Sequence, residues 1–432
     1  VGLLILLLPL WWILGIEQFI WMVALFWIGW KTLVIQDFKI YLPRSTRWLL
    51  LFLVVYGISG LFIVEGFRYL TFARNMGTYI ALFWLLVIIP NQARRWDDIA
   101  YLLRCIMLTI LVAGLIGLMG ILGIWQPSFR SALGYVLPDW VTATDYGSRL
   151  AIRSTGGEGW FAYFGHYFRV SSVFLYPTLY ASAIAITLPI ILFLYGQTRH
   201  LGNKIFLVSV FFLLAANFIF TTGRFAMLGW MLGAVYFLSH SLRYRSLFFN
   251  LVLIGVGLLG IGLLVGLLLN EAELPETGKN IWLEVVNARG SGSPTSRWII
   301  YQHTLSGFGQ RPLFGWGTER DFGDFPYPAG SHSYYLGTLY KQGIIGLLVF
   351  LGMGWGLWRD TRPLGRSLAA PLSGIGHFLS YGRWIFVAVL ADSIASIMDL
   401  DATTLALIGV LMASLIAARR LALAEGNAVQ HN

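Results

Sequence analysis

The sequence predicts an all-α polytopic membrane protein, a single integral membrane domain over residues 1–432 with about twelve transmembrane helices and two long loops on one side. Three observations lead there. Hydrophobic residues make up 57% of the 432 positions and charged residues only 12%, where a soluble domain carries roughly 45–50% and about 25%. Apolar runs long enough to span recur from end to end, and mean hydropathy is +0.72. Lys and Arg outnumber Asp and Glu, 30 against 20, and about half of them fall in or beside alternate short loops, as the positive-inside bias requires. An ordinary water-soluble enzyme, a disordered chain and a secreted disulfide scaffold are thereby excluded. The single cysteine, Cys105, rules out an intramolecular disulfide or a cysteine-based metal site.

The predicted spans lie near 2–16, 18–35, 48–64, 70–89, 99–124, 173–196, 204–221, 225–240, 247–269, 343–358, 383–399 and 402–418. The first is short and begins at Val1, which fits a trimmed terminus or a span completed by residues before it. No basic region followed by a small-residue cleavage site marks it as a signal peptide. With the N-terminus inside, the basic loops come in register. They carry Lys39, Arg44 and Arg47; Arg94 and Arg95; Arg199 and Lys204; Arg243 and Arg245; Arg359, Arg362 and Arg366; and finally Arg419 and Arg420. Both termini are then cytoplasmic.

Two long loops, 125–172 and 270–342, fall on the opposite, extracytoplasmic side. Both are rich in Gly, Pro, Trp and Tyr, as suits interfacial segments. The stretch RWIIYQHTLSGFGQ from Arg297 to Gln310 is expected to lie as a helix along the interface.

Arginine on that side opposes the topological bias and asks for a reason. Arg169 precedes the sixth span in FRVSSVFLYP, Arg224 opens the eighth in FTTGRFAMLGW, and Arg297 sits in GSPTSRWIIY. Guanidinium groups grip phosphate bidentately and keep their charge. The plainer reading is snorkelling or a carboxylate partner. His332, in PAGSHSYYLGTLY, stands at the end of a Gly/Ser/Pro-rich loop directly before a span. Imidazole can take a proton from a hydroxyl near neutral pH. His166 and His303 compete for that role.

Several motifs are missing. The sequence has no phosphate loop of the G-x-x-x-x-G-K-[ST] type and no H-E-x-x-H zinc site. Asp399-Leu-Asp401 is the only D-x-D, and it falls in the last tight hairpin. Glu158, Glu319, Asp321 and Asp324 could place carboxylates near the outside arginines, but their spacing marks no metal site. A metal-independent mechanism is expected. Asp392 and Asp399 are intramembrane acids, functional or simply hydrogen-bonded between helices.

The run SRWIIYQHTLSGFGQRPLFGWGTERDFGDFPYPAGSHSYYLGTLYKQGIIGLLVFLGMGW, Ser296 to Trp355, resembles the signature region of bacterial O-antigen ligases and related polysaccharide polymerases. TTGRFAMLGW is similar to that family's Thr-Gly-Ser-Arg span start, without the Ser between Gly223 and Arg224. FRVSSVFLYPTLYASAIAITLP is similar to a further segment, with Tyr176-Pro177 where Asn-Pro is common. The resemblance implies a GT-C-like helical fold in the bacterial inner membrane, with its active site facing the periplasm. It implies a glycosyltransferase that uses an undecaprenyl-diphosphate-linked glycan as donor and a glycan or lipid-linked sugar as acceptor. No cofactor, metal or nucleic acid is implied. Carried over, Arg224 and Arg297 hold the diphosphate, with Arg169 as a weaker third, and His332 is the base. Outside aromatics (Trp140, Trp160, Tyr163, Trp282, Trp316, Tyr334, Tyr335) suit sugar contacts or interfacial belting. Polymerase and ligase stay open, and so do a small-anion transporter and a pilin-type O-oligosaccharyltransferase.

Overall fold

A computed structural model of the chain describes residues 1–161, 165–241, 293–323, 325, 327–363, 373–396 and 401–430. The fold is mostly helical. Among the described residues, eight helices are long and apolar enough to cross a membrane, as a multi-pass membrane protein requires. In chain order the elements are α1 (Gly2–Leu6), α2 (Leu8–Leu14), α3 (Ile20–Ile35), α4 (Arg44–Ser59), α5 (Arg68–Gln92), α6 (Trp96–Ile121), β1 (Ser128–Arg130), α7 (Asp139–Thr142), α8 (Asp145–Ala151), β2 (Ile152–Ser154), β3 (Gly156–Phe161), β4 (Gly165–Val170), α9 (Pro177–Gln197), α10 (Leu201–Thr221), α11 (Arg224–Ser241), α12 (Ser293–Gln310), α13 (Tyr334–Asp360), α14 (Ser373–Asp392) and α15 (Ala402–Gln430).

Against twelve predicted spans, the eight are α4 with its 3-10 extension, α5, α6, α9, α10, α13, α14 and α15. The second and eighth predicted spans form the shorter apolar helices α3 and α11. The first is not one helix. It breaks at Leu7, whose dihedrals are non-helical, and Pro9 lies in the first turn of α2, where its missing N–H is tolerated. The ninth, 247–269, lies outside the described residues.

The all-α expectation also needs amending. The segment after α6 forms two small antiparallel sheets, β1 with β2 and β3 with β4. Gly156, Gly157 and Gly159 leave β3 without the alternating apolar pattern that marks a strand.

α15 is the central helix: 83% of its apolar window is buried in the bundle, against 33% for peripheral α10. Its inner surface is built on small residues, among them Ala413, Ser414, Ala417 and Ala418. A Cβ at Gly409 would stand 2.7 Å from Leu82 of α5, so glycine sets that close approach. α11 packs on α14 and α4 on α13 in the same way. At Gly356 an added Cβ would meet the Ser45 backbone at 2.8 Å.

α13 reaches further than its apolar pattern. The span predicted to begin at 343 begins at Tyr334 and is interrupted at Gly343, whose φ is +71° and ψ −170°. Backbone freed by a break at membrane depth needs another partner. The loop RPLFGWG supplies it: Ile344 N donates to Pro312 O (2.8 Å), Trp316 N to Tyr340 O (3.0 Å) and Gly317 N to Lys341 O (2.8 Å). Any side chain at Gly343 would collide with the Leu313 carbonyl. Lys341, the polar residue that hid this turn in the sequence, is buried and lies 3.6 Å from Glu319.

A buried polar network joins the first hairpin region to the bundle. Arg153 of β2 pairs with Glu17 at 2.7 Å, both about 1% exposed. Gln18 donates to Asp401 and accepts from Ala402 N, and Asp401 caps the start of α15 through Thr403 N and Thr404 N. Burial pushes Glu17 up to about 7 despite Arg153.

The described basic-loop residues collect at one end. Arg420 donates to Pro90 O, Arg419 to Arg362 O, and Tyr41 N to Asn91, while Arg420 lies over the Tyr41 ring. Arg243, Arg245 and Arg366 lie outside the described residues. The loops that follow α6 and precede α13 meet at the other end.

Candidate active site

At that other end the structure brings Arg169, Arg224, Arg297 and His332 together from four elements. Period-two geometry places the first. In the β3–β4 hairpin, Phe168 and Val170 face α6, where a Cβ at Gly117 would meet Val170 at 2.8 Å and one at Gly120 would run into Phe168. Tyr167 and Arg169 therefore project from the opposite face. There the Arg169 Nε donates to Thr221 O and to Thr222 Oγ1, each at 3.1 Å, and the Tyr167 hydroxyl meets Thr222 Oγ1 at 3.1 Å.

Thr222 ends α10 in the left-handed region (φ +51°), and Gly223 turns the chain into α11. Gly223 lies against Ala181 of α9 with no room for a side chain. Arg224 is thus the first residue of α11, whose N-terminal amides carry partial positive charge. Arg297 comes from α12, its guanidinium 5.5 Å from the Phe225 ring centre.

These groups feel one another. Burial presses the Arg169 pKa below its ordinary value, and the charges of Arg297, Arg149 and Arg224 press it the same way. Arg297 also acts electrostatically on Arg224, on His332 and on Asp392. Among the described residues neither Arg169 nor Arg297 has a carboxylate within ion-pair distance. The plainer reading of those two arginines, a carboxylate partner, finds none among the described residues. Several desolvated positive charges held at one end favour an anion.

His332 sits in a constrained backbone. Its φ is +62°, in the left-handed region that a side chain seldom adopts. The surroundings hold it there. Its carbonyl accepts from the Tyr301 hydroxyl of α12 (3.0 Å), Gly330 N donates to Thr304 Oγ1 (2.8 Å), and Tyr334 N donates to Ser393 O (2.9 Å). The Tyr327 ring lies edge-on to the imidazole at 4.9 Å.

The hydrogen bonds around the ring determine its tautomer. Ser331 Oγ donates its one proton to Pro328 O at 2.6 Å and lies 2.9 Å from His332 Nδ1. With that proton committed, Ser331 accepts from Nδ1–H, which leaves Nε2 with the lone pair. Burial pushes the His332 pKa down to about 4, and the Arg297 charge pushes the same way. The imidazole is neutral at pH 7.

His303 stacks on Phe322 at 3.9 Å, and the side chain of His166 lies outside the described residues. Glu319 and Asp321 engage Lys341 and Arg68 rather than the site arginines. Asp324 and Asp399 lie outside the described residues. Asp392 accepts from Ser182 of α9 and from Ser396 (2.7 Å), a bond between helices. The Arg311 and Arg320 guanidiniums lie 4.0 and 4.5 Å from the Trp316 ring centre, and Tyr334 is buried. Trp140 is exposed, and Tyr335 donates to Leu390 O. Tyr163, Trp282 and the side chain of Trp160 lie outside the described residues.

Three neighbours escaped the sequence reading: Arg149, Tyr167 and Ser331. Arg149 lies 4.5 Å from the Tyr176 ring centre and 3.2 Å from Asp145, whose carboxylate also accepts from the Tyr176 hydroxyl. Alternation within YFRV, Tyr167 to Val170, could have flagged Tyr167; nothing local flags the other two.

Residues 209–351 match the family model of the O-antigen ligases. That stretch contains Arg224, Arg297 and His332 and leaves Arg169 outside. The resemblance drawn from TTGRFAMLGW and from Ser296–Trp355 is borne out over it. No curated protein matches the chain.

Proposed function

We propose that this protein is a membrane glycosyltransferase of the O-antigen ligase or polymerase type, working at the extracytoplasmic face of the bacterial inner membrane. Its donor is a glycan on undecaprenyl diphosphate and its acceptor a sugar hydroxyl of a second glycan or lipid-linked sugar. The observation that carries the reading is the meeting of Arg169, Arg224 and Arg297 with the buried imidazole of His332, whose Nδ1 lies 2.9 Å from Ser331 Oγ. The family match over residues 209–351 supports the reaction class.

The chemistry follows from charge. His332 Nε2 takes the proton from the acceptor hydroxyl as its oxygen attacks the anomeric carbon. The bond from that carbon to the diphosphate oxygen breaks, and undecaprenyl diphosphate leaves with the electron pair. Its negative charge grows as it departs, so fixed guanidiniums stabilise the transition state more than the ground state. Attack from the face opposite the leaving group inverts the anomeric centre. The arginines here take the part that a divalent cation takes in many transferases, which makes the reaction metal-independent. Diphosphate binding also offsets the Arg297 charge and so raises the basicity of His332 when substrate is present.

Polymerase and ligase differ only in the acceptor, and a deletion strain distinguishes them. Accumulation of a single-repeat lipid-linked glycan means polymerase, and accumulation of a long lipid-linked polymer means ligase. Wild-type protein restores the normal profile, and His332→Ala, inserted at equal level, does not. An unaltered glycan profile in the deletion strain overturns the reading. A pilin-type acceptor would appear as a protein that loses its glycan in that strain.

A further inference from the structure

The opposite end of the bundle holds a cavity of about 910 Å³ between the ends of α9, α11, α13 and α14. Arg359, Arg362, Arg383 and His377 line it, and among the described residues its lining includes no Asp or Glu. The rest of the wall is largely aromatic, with Trp355, Trp358 and Tyr381 among the contributors.

Arg383 is the informative residue. It lies within the apolar helix α14 and is only 4% exposed. Its guanidinium stacks on the Trp358 ring at 3.5 Å, and Nη2 donates to Trp358 O at 2.7 Å. Nη1 is buried and has no hydrogen-bond partner among the described residues. Asp360, the nearest acid in sequence to Arg359 and Arg362, is committed to Ser45 through its amide and hydroxyl (2.8 and 2.9 Å). A buried guanidinium with one N–H left without a partner among the described residues is costly unless an anion meets it.

We propose that this cavity binds the phosphodiester headgroup of an anionic membrane lipid. The three guanidiniums take the phosphate, and the aromatic wall covers the glycerol and first acyl carbons. Two observations favour a lipid over a free phosphate. The volume far exceeds what an inorganic anion fills, and Trp355, one of the lining residues, is 60% exposed near the end of a membrane-crossing helix. Basic pockets between helices at the cytoplasmic interface suit such headgroups, and this is the end where the basic loops collect.

The test uses the full chain, purified, delipidated and analysed by native mass spectrometry after exposure to phosphatidylglycerol or phosphatidylcholine. Wild type should retain phosphatidylglycerol over phosphatidylcholine by about ten-fold or more. Arg359→Ala/Arg362→Ala, which leaves the interior intact, should lose most of that preference, and Arg383→Gln should lose it further. Equal retention of the two lipids overturns the proposal, and so does an undiminished preference in the double variant. In a parallel arm, inorganic phosphate displacing phosphatidylglycerol at equal concentration would identify a small-anion site and overturn the lipid assignment. No readout here depends on glycan transfer.

Discussion

The Ser331 hydroxyl, pinned to Pro328 O, accepts from His332 Nδ1 and so holds the neighbouring imidazole in the tautomer whose Nε2 is basic. A serine one residue before the base thus acts as its positioning residue. Ser331→Ala removes one hydrogen bond, so kcat should fall about ten-fold with KM little changed. Ser331→Thr, which keeps the hydroxyl, should recover most of the loss. Steady-state kinetics on the three proteins check this.

The pH profile should carry the mark of burial. A histidine at its ordinary pKa near 6.5 would lose activity below pH 6.5. His332, pushed down to about 4, stays neutral and competent to that pH, and activity is lost only as pH falls through it. Arg297→Gln removes part of the depression, so the acid limb of its residual kcat/KM should move upward. A wild-type limb at 6.5 would show that another group limits the rate.

The arginines should act on the chemical step. Arg297→Ala and Arg224→Ala should each lower kcat about 100-fold or more, the scale of losing a preorganised stabiliser of developing charge. Arg169→Ala should cost less, since its Nε is committed to Thr221 and Thr222. Lysine should not restore Arg297, because it cannot present a planar fork to a diphosphate. Membrane insertion and thermal stability of each variant separate chemistry from folding.

The break in α13 should be a stability determinant. Gly343→Ala places a side chain at φ +71° and against the Leu313 carbonyl, so thermal unfolding in detergent should come markedly earlier. Gly354→Ala in the same helix, where an added Cβ meets nothing within 4 Å, should leave it unchanged.

How much of this was legible in the sequence depends on the range of the forces involved. Burial in lipid acts on whole runs, so most spans and the basic-loop pattern could be read directly. The first run could not, because one non-helical residue at Leu7 splits it without altering its apolarity. The start of α13 was missed because Lys341 and Gln342 look like a loop, yet both are buried, Lys341 beside Glu319. The hairpins were missed because glycines erase the alternation of β3. Arg224, Arg297 and His332 stood out as charges and a histidine in recognisable segments. Arg149 and Ser331 did not, since their roles arise from contacts with the Tyr176 ring and the Pro328 carbonyl that no local pattern encodes.

The most direct measurement is transfer in proteoliposomes containing only this protein, an undecaprenyl-diphosphate glycan and its acceptor, with EDTA present. The account predicts extended or transferred glycan and stoichiometric release of undecaprenyl diphosphate by wild type, and none above background by folded His332→Ala. Full transfer by His332→Ala would contradict it, as would EDTA-sensitive transfer restored by Mg²⁺, or passage of a small anion across the bilayer without glycan product.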